Sequence, residues 1–230
     1  MTGYSAHVVL SNEKWVEILM NLYNQNNRNI SGKPSSSLNN WDNLMYPISR
    51  KKRTNSNTQN GANNSDITAI AGNWIDAIGT IISAIGSTPS SVFTNQTLTD
   101  LNIIGNILQA GGSAILSETE DALLDIVGDQ ISAIGNIAVV AGILSNNEQS
   151  GQLLEQQGNL LQVLGAGMTI DTEGNLTLLQ TIANTGNIIQ VIGNVIQVLA
   201  NDETLEGEIV GAVGAWIQAV GAVITALASD

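Results

Sequence analysis

From residue 66 onward glycine returns at every seventh position, and few folds tolerate that. Gly72-Asn73-Trp74-Ile75-Asp76-Ala77-Ile78 runs into Gly79-Thr80-Ile81-Ile82-Ser83-Ala84-Ile85 and then Gly86. The beat resumes at Gly105/Gly112, Gly128/Gly135/Gly142, Gly151/Gly158/Gly165, Gly186/Gly193 with Ala200, and Gly207/Gly214/Gly221 with Ala228. Its clearest unit is Gly186-Asn187-Ile188-Ile189-Gln190-Val191-Ile192: glycine, polar, apolar, apolar, polar, small or apolar, apolar.

A period of seven fits two helical turns and does not fit the two-residue repeat of a strand. At about 100° per residue, the two polar positions fall near ~100° and ~40° and form one narrow stripe, while the bulky Ile, Leu and Trp positions spread over ~200–300°. Each helix therefore carries a broad apolar face, a thin polar edge, and glycine on its shoulder.

Interior helical glycine costs up to ~1 kcal/mol relative to alanine, so the in-register glycines together cost on the order of 10 kcal/mol. That is comparable with the whole net stability of an ordinary domain, ~5–15 kcal/mol. Close approach of neighbouring backbones is the compensation such a pattern predicts. Gly72, Gly79, Gly105, Gly112, Gly128, Gly135, Gly158, Gly186, Gly193, Gly214 and Gly221 are the expected packing seam.

The expected fold is all-α: an array or bundle of about six helices near 67–86, 98–116, 119–144, 148–166, 177–200 and 204–228. Thr88-Pro89-Ser90-Ser91 marks a break. Ser117-x-x-Glu120 and Ser145-x-x-Glu148 read as capping boxes. Asp66, Asp100 and Asp202/Glu203 stand near expected helix starts. The turn Asp171-Thr172-Glu173-Gly174-Asn175 is flanked by segments that read as a small β-hairpin.

The Gly-Asn-Ile-Ile-Gln-Val-Ile beat resembles uncharacterised, highly repetitive proteins of low-GC Gram-positive spore-forming bacteria. The resemblance covers roughly residues 66–228. It implies a repeat architecture and a bacterial origin, and brings no catalytic residue.

The N-terminal part differs in character. Residues 1–24 contain Trp15, Ile18, Leu19, Leu22 and Tyr23 at helical spacing, a possible docking face for a protein partner through residues 11–23. Residues 25–65 are rich in Asn and Ser and read as a flexible linker. All seven Lys and Arg lie at or before Arg53, and the Arg50-Lys51-Lys52-Arg53 run reads first as a solvated charge cluster.

These facts exclude much chemistry. The chain has no Cys and a single His, His7, so thiol catalysis, Cys-ligated metals and histidine dyads lack material. With a formal net charge of −13, nucleic acid is not an expected partner. No cofactor and no catalytic residue is expected. Asp121, Asp125 and Asp129, with Glu118 upstream, fall at four-residue steps along an expected helix edge, and a solvated stripe is preferred over a divalent-cation row.

Residues 174–201 and 209–229 each run without a charged side chain and are long enough to span a bilayer. Asn and Gln interrupt them, no Lys or Arg flanks them, and Met1–Leu10 lacks the features of a secretory signal. The leading expectation is a non-enzymatic scaffold that self-associates as a homo-oligomer or filament, in the cytoplasm or associated with the spore or mother cell. The alternative is a membrane-active or pore-forming bundle with glycine seams and Asn/Gln facing a lumen; a partner-docking module is the third.

Overall fold

A computed structural model describes residues 59–172, 174–200 and 204–229, with side chains from residue 66 onward. The N-terminal docking face, the Arg50–Arg53 run and the Asp202/Glu203 pair lie outside the described residues. Six helices follow one another: α1 (Gln59–Gly86), α2 (Asn95–Thr119), α3 (Leu123–Ile143), α4 (Glu148–Met168), α5 (Leu178–Leu199) and α6 (Leu205–Leu227). The fold is all-α, and no strand occurs among the described residues.

Several local expectations are corrected. Helix α1 starts at Gln59, inside the segment read as a linker, so Asp66 lies in its interior. Ser117 does not open a capping box: its hydroxyl donates to the Ala114 carbonyl in the last turns of α2. The next helix starts after Ala122, which caps no amide with its side chain. Asn147, not Ser145, caps α4 by accepting from the Ser150 amide at 2.8 Å. A real capping box sits at Thr177, whose hydroxyl accepts from the Gln180 amide while Gln180 Oε1 accepts from the Thr177 amide. The hairpin expected around residue 171 is an irregular connection in which Gly174 takes φ 76°, a left-handed conformation that suits a residue without Cβ. The acidic row is also broken, because Glu118 ends α2, Asp121 is in the connection and only Asp125 and Asp129 share α3.

Each helix packs against its neighbours in sequence, and α6 closes back onto α1. Among the described residues no other pair of helices brings its backbones together, and only side chains reach across the middle. The arrangement is a closed ring of three antiparallel hairpins, α1–α2, α3–α4 and α5–α6.

Glycine sets the closest approaches. A Cβ added to Gly79 would lie 2.8 Å from the Gly105 carbonyl oxygen, and one on Gly105 would lie 2.7 Å from that of Gly79. Gly135 and Gly158 repeat this reciprocal relation at 2.7 and 2.6 Å, as do Gly193 and Gly214 at 2.6 and 2.7 Å. One heptad away the pairs are Gly128 with Gly165 and Gly186 with Gly221, and a Cβ on Gly112 would lie 2.8 Å from the Gly72 carbonyl oxygen. In an antiparallel hairpin, seven residues forward on one helix meet seven residues back on the other, so a heptad on both keeps every pair in register. The α1–α6 closure uses alanine instead: Ala77 packs with Ala222 and Ala226, and Ala84 with Ala215 and Ala219.

Candidate functional site

The ring turns its polar stripes inward. Gln109, Asn136 and Asn194 are each 2% exposed, and Gln109, Asn194 and Thr80 are the largest fully buried side chains. The buried hydrophobics are alanines and Val139. Outside, twenty-seven large apolar side chains among the described residues are 38–83% exposed, on all six helices and, for Val92, Phe93 and Leu144, in the connections. This reverses the usual arrangement of a protein in water, where large aliphatic residues fill the core and amides face solvent.

The heptad explains the inversion. With glycine held at the hairpin contact, the first and fourth positions after it face the ring axis, and the second and sixth face out. On α5 these are Asn187 and Gln190 inside, with Ile188 and Ile192 exposed at 46% and 48%.

Three glutamines meet at mid-height, one from the second helix of each hairpin. Gln109, Gln162 and Gln218 each stand four residues after a seam glycine, Gly105, Gly158 and Gly214. Gln218 Nε2 donates to Gln109 Oε1 at 3.0 Å and to Gln162 Oε1 at 2.9 Å. Its own Oε1 accepts from Gln197 Nε2 at 3.0 Å. An unpaired buried amide costs ~1–3 kcal/mol, so this mutual satisfaction is what permits glutamine here.

The girdle divides two polar cavities. One, of ≈340 Å³, lies toward the end carrying the α2–α3 and α4–α5 connections and includes Asn73, Asp76, Asp129, Ser132 and Asn187 in its wall. The other, of ≈280 Å³, includes Ser83, Asn106, Gln152 and Glu155. Gln162 and Gln218 line both. Hydrogen bonds tie the walls together: Ser83 Oγ donates to Asn102 Oδ1 at 2.9 Å, Thr225 Oγ1 to Asn187 Oδ1 at 3.1 Å, and Asn187 Nδ2 to Thr169 Oγ1 at 3.1 Å, joining the second hairpin to the third. Asn136 donates to the Ser132 carbonyl, but its buried Oδ1 has no hydrogen-bond partner.

No Lys or Arg follows Arg53, so every charged side chain that lines the cavities is a carboxylate. Asp76, Glu120, Asp125, Asp129 and Asp171 line the first cavity, and Glu155 and Glu208 the second. Among the described residues no group of three or more His, Cys, Asp or Glu is placed to hold a metal ion.

The seam glycines thus lie in the wall of the ring, where hairpin partners touch, and position the amides without lining the lumen at the girdle. The glutamine girdle was not singled out from sequence. Its signal was present in the recurring glutamine four places after glycine, but convergence of three such residues depends on ring closure.

Among the described residues four helices are long and apolar enough, by length and composition, to cross a membrane: Asp66–Gly86 within α1, Leu123–Ile143, Leu178–Leu199 and Leu205–Leu227. In α2 and α4 the polar residues include the luminal Asn106, Gln109 and Gln162, while Ile104, Ile107, Leu153, Leu160 and Leu164 are exposed. No curated protein and no solved structure shows significant similarity to the chain. A family model does match residues 67–226, the span of the six-helix ring, and the chain belongs to that family of unknown function, DUF6944.

Proposed function

We propose that the chain is a membrane-embedded six-helix barrel whose polar lumen admits water and small polar solutes, with no catalytic step of its own. The observation that carries this reading is the inverted burial: amides inside, Ile, Leu and Val outside on every helix. In water, leaving some twenty-seven large aliphatic or aromatic side chains about half exposed forfeits on the order of 30 kcal/mol of transfer free energy, at ~1.5–3 kcal/mol for full burial of each. In hydrocarbon that same surface is at rest.

Helices of 21 to 28 residues also suit the medium, because at ~1.5 Å per residue they match a hydrocarbon core ~30 Å thick. Glycine at helix contacts is the packing device expected where no hydrophobic drive pulls helices together. The scaffold reading shares the apolar surface but covers it with copies of the chain. A pairwise or filament interface covers one or two sides, whereas here all six helices present apolar residues, which favours a continuous apolar solvent.

Flotation tests the proposal. The purified full chain, mixed with phosphatidylcholine liposomes after detergent removal, is expected to rise with the lipid and to resist alkaline extraction. A protein that stays at the bottom of the gradient as a defined oligomer or filament refutes the membrane reading and supports the scaffold.

A further inference from the structure

We infer that the ring is sealed at mid-height: Thr80, Gln109, Asn136, Gln162, Asn194 and Gln218, one side chain from each helix, close the axis and leave the two cavities as separate blind vestibules. This rests on the membrane reading above and makes the ring an occluded barrel rather than an open pore, so solutes that enter either vestibule go no further.

The layer follows from the heptad. Each hairpin has one central reciprocal glycine pair, Gly79 with Gly105, Gly135 with Gly158 and Gly193 with Gly214. Thr80, Asn136 and Asn194 stand one place after the first glycine of these pairs, and Gln109, Gln162 and Gln218 four places after the second. These are the inward positions nearest the contact, so three hairpins built alike deliver six side chains to one level. All six are between 1% and 7% exposed. Their neighbours along the same helix edges line one cavity or the other. On α1, Asn73 and Asp76 face the larger cavity and Ser83 and Ser87 the smaller, with Thr80 between them. On α5, Asn194 likewise stands between Asn187 and Gln197.

Nothing in the layer favours passage. It carries no charge, and the side-chain carbonyls of Gln109, Gln162 and Gln218 are already taken by amide donors. An ion arriving from either vestibule would shed water and gain no free oxygens in exchange. Asn136 Oδ1 has no partner and lies closed within the packing. The glycine contacts hold paired backbones close on every side of the layer, which keeps the bore narrow enough for six side chains to fill.

The test reads transfer across the ring. In phosphatidylcholine liposomes carrying the full chain, stopped-flow light scattering after a sucrose jump should give the water permeability of protein-free liposomes. Gln109→Ala with Gln162→Ala and Gln218→Ala removes the girdle amides together, so that none strands another, and should raise water permeability several-fold and admit glycerol. Asn73→Ala, in the wall of the larger vestibule, should change neither. A second measurement leaves the layer intact. The chain has no cysteine, so Ala183→Cys in the larger vestibule and Gln152→Cys in the smaller report sidedness with a membrane-impermeant thiosulfonate. Across a seal, the fractions labelled from outside intact liposomes are complementary whatever the mixture of orientations; through an open ring both go to completion.

Failure of the parent chain to float with lipid overturns the membrane reading itself. A floating parent that passes water faster than protein-free liposomes, or complete labelling at both cysteines, overturns the seal alone. A triple alanine variant that floats with native helical circular dichroism yet stays impermeable, or an Asn73→Ala variant that leaks as much, refutes the assignment to the layer. Where the triple variant loses its helix content, the cysteine labelling decides whether the seal exists.

Discussion

Replacing glycine by alanine should have opposite effects at two places in this ring. At Gly193 an added Cβ would sit 2.5 Å from the Gln218 amide nitrogen and 2.6 Å from the Gly214 carbonyl oxygen. Both atoms are backbone on the facing helix and cannot rotate away. Ordinary contact begins near 3.4 Å, so α5 and α6 must separate by most of an ångström. Overpacking of this kind costs ~1–3 kcal/mol, and the separation also weakens the neighbouring Gly186–Gly221 contact, so the cost exceeds the ~1 kcal/mol that alanine gains in helix propensity. At Gly111, inside α2, an added Cβ meets nothing within 4 Å. There only the propensity term remains, a gain of up to ~1 kcal/mol. For a chain of this size ~1 kcal/mol corresponds to ~2–4 °C in Tm. Thermal melts by far-ultraviolet circular dichroism in mild detergent should therefore show Gly111→Ala raised by a few degrees and Gly193→Ala lowered by ~2–8 °C. Equal shifts at the two sites, or a Gly193→Ala variant at least as stable as the parent, would refute the claim that backbone contact at the seam holds the hairpins.

The girdle and the helix ends give further tests. Gln218→Leu keeps the volume but strands the carbonyls of Gln109 and Gln162 and leaves Gln197 Nε2 only its bond to Asn194 Oδ1, so it should cost ~2–6 kcal/mol by denaturant titration; a change below ~1 kcal/mol would mean the girdle is not a satisfied network. Thr177→Ala removes the hydroxyl of the α5 capping box and should cost ~1 kcal/mol in the same titration. Trp216 faces out at 41% exposure and donates its indole N–H to Thr88 Oγ1. In a chain carrying Trp15→Phe, Trp41→Phe and Trp74→Phe, its fluorescence should be quenched by brominated phosphatidylcholine and should shift to the blue on liposome addition. An unchanged spectrum would count against a lipid-facing outer surface.

The helical character of residues 66–228 was legible because a seven-residue beat admits no other regular structure, and the glycine spacing pointed to close helix contacts for the same reason. Helix ends were less legible. Thr94, Asn147, Thr177 and Thr204 cap four helices with a hydroxyl or amide oxygen, yet Ser117 and Ser145, in equally suggestive sequences, bond elsewhere. A short polar side chain has several local backbone partners, and only the path of the chain selects among them.

The direction of the polar stripe was decided by tertiary structure. A helix with one thin polar edge and one broad apolar face is consistent with burying either, and nothing along a single helix chooses between them. Closing three hairpins into a ring makes the choice. Glycine fixes which flank of each helix touches its hairpin partner, and that rotation turns Asn and Gln toward the axis and Ile and Leu toward the surroundings. Meeting of Gln109, Gln162 and Gln218 is a property of the closed ring, because the three residues are far apart in sequence and lie on helices whose backbones do not pack against one another.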